Sequence, residues 1–369
     1  MNKLLFLKMI QCSIDGKKID LDDLYEDFLL CAKEQTFLSY IWYVSKNEKY
    51  LDYYLRTGLI LERTMEVAKC LNDVLNENNI PHVFLKGYHL KNLYPDHILR
   101  MCGDVDILVK KEDYKKVVNL FKSIDDIKDK GESIHDFQFK YKGVLIELHK
   151  ELFEPHRVLS EVFNTPFDNV ELIEHNEYKL NDNYNFLYIV GHYAKHINIG
   201  AGLRPLVDIY LMLTKLDLDM NYINDNLIKM GLTKFFNMVL NELNVIFGYD
   251  KLQFEKNDNV DQMIDYCLKS GVHGQGRKAD RIENSVNSIG NGNKFVYLLK
   301  RLFISPKEMF SIYPWTKTII LLPFGYIFRF FKLLFTKTKK LKKILKYKKS
   351  DKYYLMKSIG LVNDKGKMF

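Results

Sequence analysis

The stretch Gly103-Asp104-Val105-Asp106-Ile107-Leu108-Val109 constrains this chain more than any other. Two carboxylates stand two residues apart in an otherwise apolar run. In a β-strand, alternate side chains point to one face, so Asp104 and Asp106 point the same way. Side-by-side carboxylates repel each other unless a cation joins them. A hard ion such as Mg²⁺ takes one or two carboxylates together with substrate phosphates. The run therefore reads as a strand carrying a metal platform for phosphoryl chemistry. The other reading of the same residues is a strand ending on a solvated acidic face.

Three neighbouring segments bear on that choice. Upstream, Pro81-His82-Val83-Phe84-Leu85-Lys86-Gly87 reads as a short strand closed by a glycine, and Tyr88 to Tyr94 as a short helix. A glycine at such a junction lets backbone N–H groups approach a phosphate, and Lys86 adds a cation. Downstream, Phe137 to Tyr141 and Val144 to His149 read as a hairpin turned at Lys142-Gly143. Glu147 is an acid between large apolar residues, so it faces either solvent or a polar site. His149 shares its face. Just before the acidic strand stands Arg100, with a phosphate or Asp104 as candidate partners.

Leu85-Lys86-Gly87, Leu93-Tyr94-Pro95-Asp96, Arg100 and Gly103 to Val109, in this order and spacing, resemble the uncharacterised nucleotidyltransferase family of the DNA polymerase beta-like superfamily. Ile146-Glu147-Leu148-His149 resembles that family's later acidic-x-His strand. The resemblance is specific over residues 80–150 and fainter to 310. It implies transfer of a nucleoside monophosphate from an NTP, ATP among the candidates, with Mg²⁺ or Mn²⁺ as cofactor. Asp104, Asp106 and Glu147 would be the metal-binding and catalytic carboxylates. Lys86, Gly87, Arg100 and Gly103 would hold the nucleotide phosphates. His192, His196, Arg204 and Asp208 match a region where the family carries histidines, then an arginine and an aspartate, which suggests packing or substrate binding; His149, of the acidic-x-His strand, is a further candidate substrate contact. Arg277, in the loop Gly271 to Arg277, is a further candidate phosphate contact, set against a plain loop. Two departures stand out: Tyr88 follows the glycine where the superfamily has Ser or Gly, and the interval from Gly87 to Asp104 is longer than usual.

The expected architecture is α+β: a small mixed-sheet core at residues 79–160, an N-terminal helical region at 1–78, a helical substrate region at 161–312 and an apolar-basic tail at 313–369. A hydrophobic content of 47% in 369 residues supports folded cores throughout. The five cysteines are widely spaced without a Cys-x-x-Cys pair, which supports neither a zinc knuckle nor a disulfide framework and suggests a reducing, cytoplasmic setting. Lys8 interrupts the apolar N-terminus, which reads as an amphipathic helix and not as a signal peptide. His192 and His196 lie four apart on one expected helix face, yet zinc needs a further ligand.

Charge is concentrated in the tail. Between Arg329 and Lys352 stand eleven Lys and Arg and one Asp, a net of +10 against +8 for the whole chain, so the rest sums to −2. The ten apolar residues Ile319 to Phe328 precede this cluster and are too few to span a bilayer. Three readings of the tail stand: a helix on the anionic inner face of the membrane, an apolar segment packed on the protein, or a nonspecific nucleic-acid binder. The first fits an acceptor in surface-polysaccharide or lipid-linked metabolism. A non-catalytic adaptor acting through the basic tail is the alternative function.

Overall fold

The structure, a computed structural model, describes residues 1–132, 136–153, 159–197, 200–272, 286, 289–290, 293–316, 318, 320–336, 338–345 and 351–362. The chain divides into two compact units, one formed by Met1–Tyr193 with Leu203–Val260, the other by Ala194–Gly202 with Asp261–Phe369.

The first unit is built on a seven-stranded mixed sheet of order β3-β4-β5-β2-β1-β7-β6. Its strands are β1 (His82–Phe84), β2 (Asp104–Val109), β3 (Lys128–Glu132), β4 (Asp136–Tyr141), β5 (Val144–His149), β6 (Val170–Glu174) and β7 (Glu177–Leu180). β2 runs parallel to β5 and antiparallel to β1, and β1 runs parallel to β7. The hairpins β3–β4, β4–β5 and β6–β7 are antiparallel. The sheet thus extends beyond residue 160, with β6 and β7 lying in a stretch whose sequence was expected to open a helical region.

Helices α1 (Lys3–Asp15), α2 (Glu26–Glu34), α3 (Leu38–Ser45) and α4 (Leu51–Glu77) precede the sheet. Between α2 and α3 the chain turns at Thr36, which takes a φ of 62°. α5 (Gly87–Leu90) follows β1 and α6 (Tyr114–Lys122) follows β2, while α7 (Leu159–Val162) precedes β6. Helices α8 (Asp182–Ile197), α9 (Arg204–Lys215), α10 (Met220–Lys229) and α11 (Thr233–Phe247) come after the sheet.

The period of two in the central strands decides what each face of the sheet does. Val105, Ile107 and Val109 of β2 join Val144, Ile146 and Leu148 of β5 and Phe137 and Phe139 of β4 in one buried cluster. Val67, Leu71 and Leu75 of α4 and Val117 and Phe121 of α6 complete it. Burying a side chain of this size stabilises the fold by about 1.5–3 kcal/mol. The alternate residues Asp104, Asp106, Gln138, Glu147 and His149 are thereby committed to the opposite face.

The second unit contains α12 (Val260–Ser270, from Asp261 onward), α13 (Lys294–Leu302), α14 (Pro306–Ile312), α15 (Leu322–Thr336), α16 (Thr338–Leu345) and α17 (Asp351–Ser358). Ser305 caps α14 through a reciprocal pair with Glu308. Val286, Tyr297 and Ile344 form a small buried cluster. Among the described residues, no helix is long and apolar enough to cross a membrane.

Candidate active site

The central register brings the acidic residues together. Asp106 pairs with Glu147 across the parallel β2–β5 ladder, and Gln138 pairs with Glu147 across the β4–β5 hairpin. Gln138 Nε2 donates to Glu147 Oε1 at 2.9 Å, which fixes one side of that carboxyl. His149 Nε2 lies 2.9 Å from Asp106 Oδ1 and 3.8 Å from Glu147 Oε2. Among the described residues, Asp106, Glu147 and His149 form the group whose ligand atoms all lie within 4.8 Å of one another. Asp104 stands at the exposed start of β2 and is outside that group.

Lys86 enters the same cluster from the end of β1, its Nζ donating to Asp106 Oδ1 at 2.7 Å. Its backbone has φ 53° and ψ −120°, a conformation rare for a residue with a Cβ. Non-glycine residues held in such sparsely populated regions cluster at functional sites. Tyr188 of α8 is buried, and burial raises its phenol above the usual range, with the Lys86 charge opposing.

The electrostatics divide the two carboxylates. Burial acts to raise the Asp106 carboxyl, but the Lys86 charge and the His149 hydrogen bond outweigh it and hold the group well below the ordinary range. Glu147 is pushed up to about 7, first by burial and then by the negative charge of Asp106. Burial also opposes the Lys86 ammonium, yet the adjacent Asp106 more than compensates and raises it. The cluster therefore holds more negative charge than one ammonium relieves, and its two carboxylates with an imidazole are a donor set suited to a divalent cation.

Gly87 has a packing requirement. A Cβ there would come within 2.2 Å of Cys102 Sγ and 3.2 Å of Arg100 Nη1. The neighbouring Tyr88 stacks on Phe84 with ring centroids 4.3 Å apart. Gly103 has open space where a side chain would be.

Arg100, expected at a phosphate or at Asp104, is engaged elsewhere. It is buried, and its Nε and Nη2 donate to Asp208 Oδ1 and Oδ2 at 2.6 and 2.9 Å. Its Nη1 donates to the Met101 carbonyl at 3.1 Å. Tyr94 adds its hydroxyl to Asp208 Oδ1 at 2.7 Å. The sequence motif Tyr94…Arg100 and the downstream Asp208 are thus one buried knot that ties the loop before β2 to α9. Arg204 at the start of α9 donates Nη1 to the Met101 carbonyl at 3.4 Å. Burial and the neighbouring Arg100 charge lower its guanidinium, while Asp208 and Asp104 pull the other way.

The ring of His192 lies 5.9 Å from that of Tyr188. His192 and His196 are both on α8, outside the group able to hold a metal. Arg277 and its neighbours from His273 lie outside the described residues. The sequence reading had no role for Tyr188 or Gln138. Gln138 was within reach: a two-residue turn at Lys142-Gly143 pairs Tyr141 with Val144 and, three steps back, Gln138 with Glu147.

Searches of curated proteins and of solved structures give no match. A family model described as uncharacterised nucleotidyltransferase matches residues 58–248, a span that runs from within α4, through the sheet, to the end of α11. More than half of the chain is covered, and the chain belongs to the uncharacterised nucleotidyltransferase family.

Proposed function

We propose that this nucleotidyltransferase moves a nucleoside monophosphate from an NTP to a hydroxyl or phosphate acceptor, using a divalent ion held at Asp106 and Glu147 with His149 beside them, and with Asp104 at the exposed start of the same strand as a further carboxylate for the incoming metal–nucleotide. The observation carrying this reading is the paired Asp106 and Glu147 on adjacent strands, the second pushed up to about 7 by burial and then by the first. Mg²⁺ or Mn²⁺, when bound, supplies Lewis-acid stabilisation of the charge on phosphate oxygens. The acceptor oxygen forms a bond to the α-phosphorus, the α–β bridging P–O bond breaks, and pyrophosphate leaves with that electron pair. Asp106, ionised by Lys86 and His149, is a carboxylate ready for a cation. Glu147, on the strand beside Asp106, adds the second carboxylate that would hold the cation. Lys86 keeps a positive charge beside the reacting phosphates. Arg204, with its one hydrogen bond at 3.4 Å and Arg100 for a neighbour, is the guanidinium that an anionic group of the substrate would relieve.

A second reading has one observation in its favour. The Lys86 ammonium already satisfies Asp106, which a non-catalytic nucleotide-binding protein acting through its basic tail could retain without a metal. One experiment separates the two. The four NTPs are incubated with protein and Mg²⁺ or Mn²⁺ across a panel of hydroxyl and phosphate acceptors, and pyrophosphate release is followed. The D104A/D106A double variant is expected to lose at least about 10³-fold of the activity. Equal release from parent and variant overturns the catalytic reading.

A further inference from the structure

Helix α15 turns an apolar stripe outward. Phe324, Ile327, Phe328, Phe331 and Phe335 recur at helical spacing on one side, and Phe328, Phe331 and Phe335 are 48%, 51% and 78% exposed. The opposite side carries Gly325, Tyr326 and Arg329. A Cβ on Gly325 would come within 2.7 Å of Thr316 Cγ2, so the helix lies tight against that residue. The Tyr326 hydroxyl donates to the Ile304 carbonyl at 2.7 Å. Arg329 is only 9% exposed, and its Nε and Nη2 donate to the Arg301 carbonyl at 3.2 and 3.0 Å. These three anchors fix the rotation of the helix with its arginine inward and the stripe of Phe324, Phe328, Phe331 and Phe335 outward. The apolar area continues beyond α15. Trp315, itself exposed, has its ring 5.8 Å from that of Phe328. Single exposed apolar side chains need no account, but a stripe of this length on one helix does.

We infer that this face docks on a bilayer surface containing anionic lipid. The charge that accompanies it selects the partner. Residues 329–352 carry a net +10. Lys332 Nζ stands 5.1 Å from the Tyr313 ring and 6.0 Å from the Phe328 ring, which keeps a cation at the aromatic face itself. Lys342 of α16 is exposed. Aromatic side chains flanked by lysines match an interface with apolar chains below and negative headgroups above. α15 has 15 residues, about 22 Å of helix, and lies in the surface because that is short of a bilayer core. A second copy is disfavoured by the same charge, since a symmetric contact would bring two strongly basic segments together. A nucleic-acid duplex would meet the lysines but give the phenylalanine stripe nothing to bury in. This inference stands apart from the nucleotidyl-transfer reading, and each can fail without the other.

The test uses the full chain. It is sedimented with phosphatidylcholine vesicles and with phosphatidylcholine–phosphatidylglycerol vesicles, and the partition is compared with that of Phe328→Ser/Phe331→Ser/Phe335→Ser. The parent is expected to co-sediment with the anionic vesicles alone and to lose about 10-fold of the partition at high salt. The triple variant is expected to bind at least about 100-fold less, with an unchanged circular dichroism spectrum and unchanged NTP binding. Absence of parent binding to anionic vesicles overturns the inference, as does equal binding by the variant. Retention of an oligonucleotide without vesicle binding assigns the face to nucleic acid. A dimer in gel filtration that the triple variant splits, again without vesicle binding, assigns it to self-association.

Discussion

The two units of the chain treat charge and apolar surface in opposite ways. In the first, a half-buried and a buried cation are matched to carboxylates: Lys86 with Asp106, Arg100 with Asp208. In the second, phenylalanines go outward, and the buried cation Arg329 is satisfied by a neutral carbonyl. Burying an ion is expensive unless a partner of opposite charge and good geometry accompanies it. The first unit meets that cost at a place where charge is needed for chemistry. In the second unit, cations and aromatic rings share an exposed face, which is what a contact surface requires. The family match covers residues 58–248 and stops short of Asp261–Phe369, the larger part of the second unit.

The comparison breaks first at the Arg100–Asp208 knot. Asp208→Ala leaves a buried guanidinium without its counter-ion and Tyr94 without its acceptor, and should destabilise the protein by about 3–5 kcal/mol in chemical denaturation. A loss below about 1 kcal/mol would show that solvent reaches this pair.

Acid sharpens it next. His89 Nε2 has no hydrogen-bond partner among the described residues, and burial, then the charges of Lys91 and Lys179, lower its imidazole to about 4. The unfolded chain takes up this proton near 6.5 and the native chain does not until about 4, so stability rises with pH across that window. The stabilisation is complete above 6.5 and falls by about 2–3 kcal/mol as the pH drops to 4. His89→Leu should flatten that part of the stability–pH curve. An unchanged slope would mean that His89 protonates freely in the fold.

The smallest effect separates like from like. Phe331→Ala on the exposed stripe should change stability by no more than about 0.5 kcal/mol, whereas Phe139→Ala in the sheet core should cost about 3–5 kcal/mol. A large cost at Phe331 would mean that the stripe is covered within the folded chain.

The central strands were legible because their signal is local. Asp-x-Asp inside an apolar run states both the strand and the face, and the turn at Lys142-Gly143 sets the register that places Glu147. The identity of Arg100's partner was not legible. Asp208 lies more than a hundred residues downstream, and a lone arginine carries no mark of the carboxylate that will meet it. β6 and β7 were missed for a related reason. β6 is exposed along nearly its whole length, so Val170 to Glu174 lacks the alternation that reveals a strand with one covered face. The tail's composition showed a basic, aromatic helix. Its rotation depended on Gly325 meeting Thr316 and Arg329 meeting a carbonyl, which composition does not encode.

The left-handed backbone at Lys86 has a further consequence. The direction in which that side chain leaves the sheet belongs to the main chain, set by β1 on one side and α5 on the other. Any residue with a side chain that can hold this positive φ, which excludes proline, would set out toward the same point above Asp106. Evolution can therefore exchange the functional group delivered there while the line of delivery stays fixed.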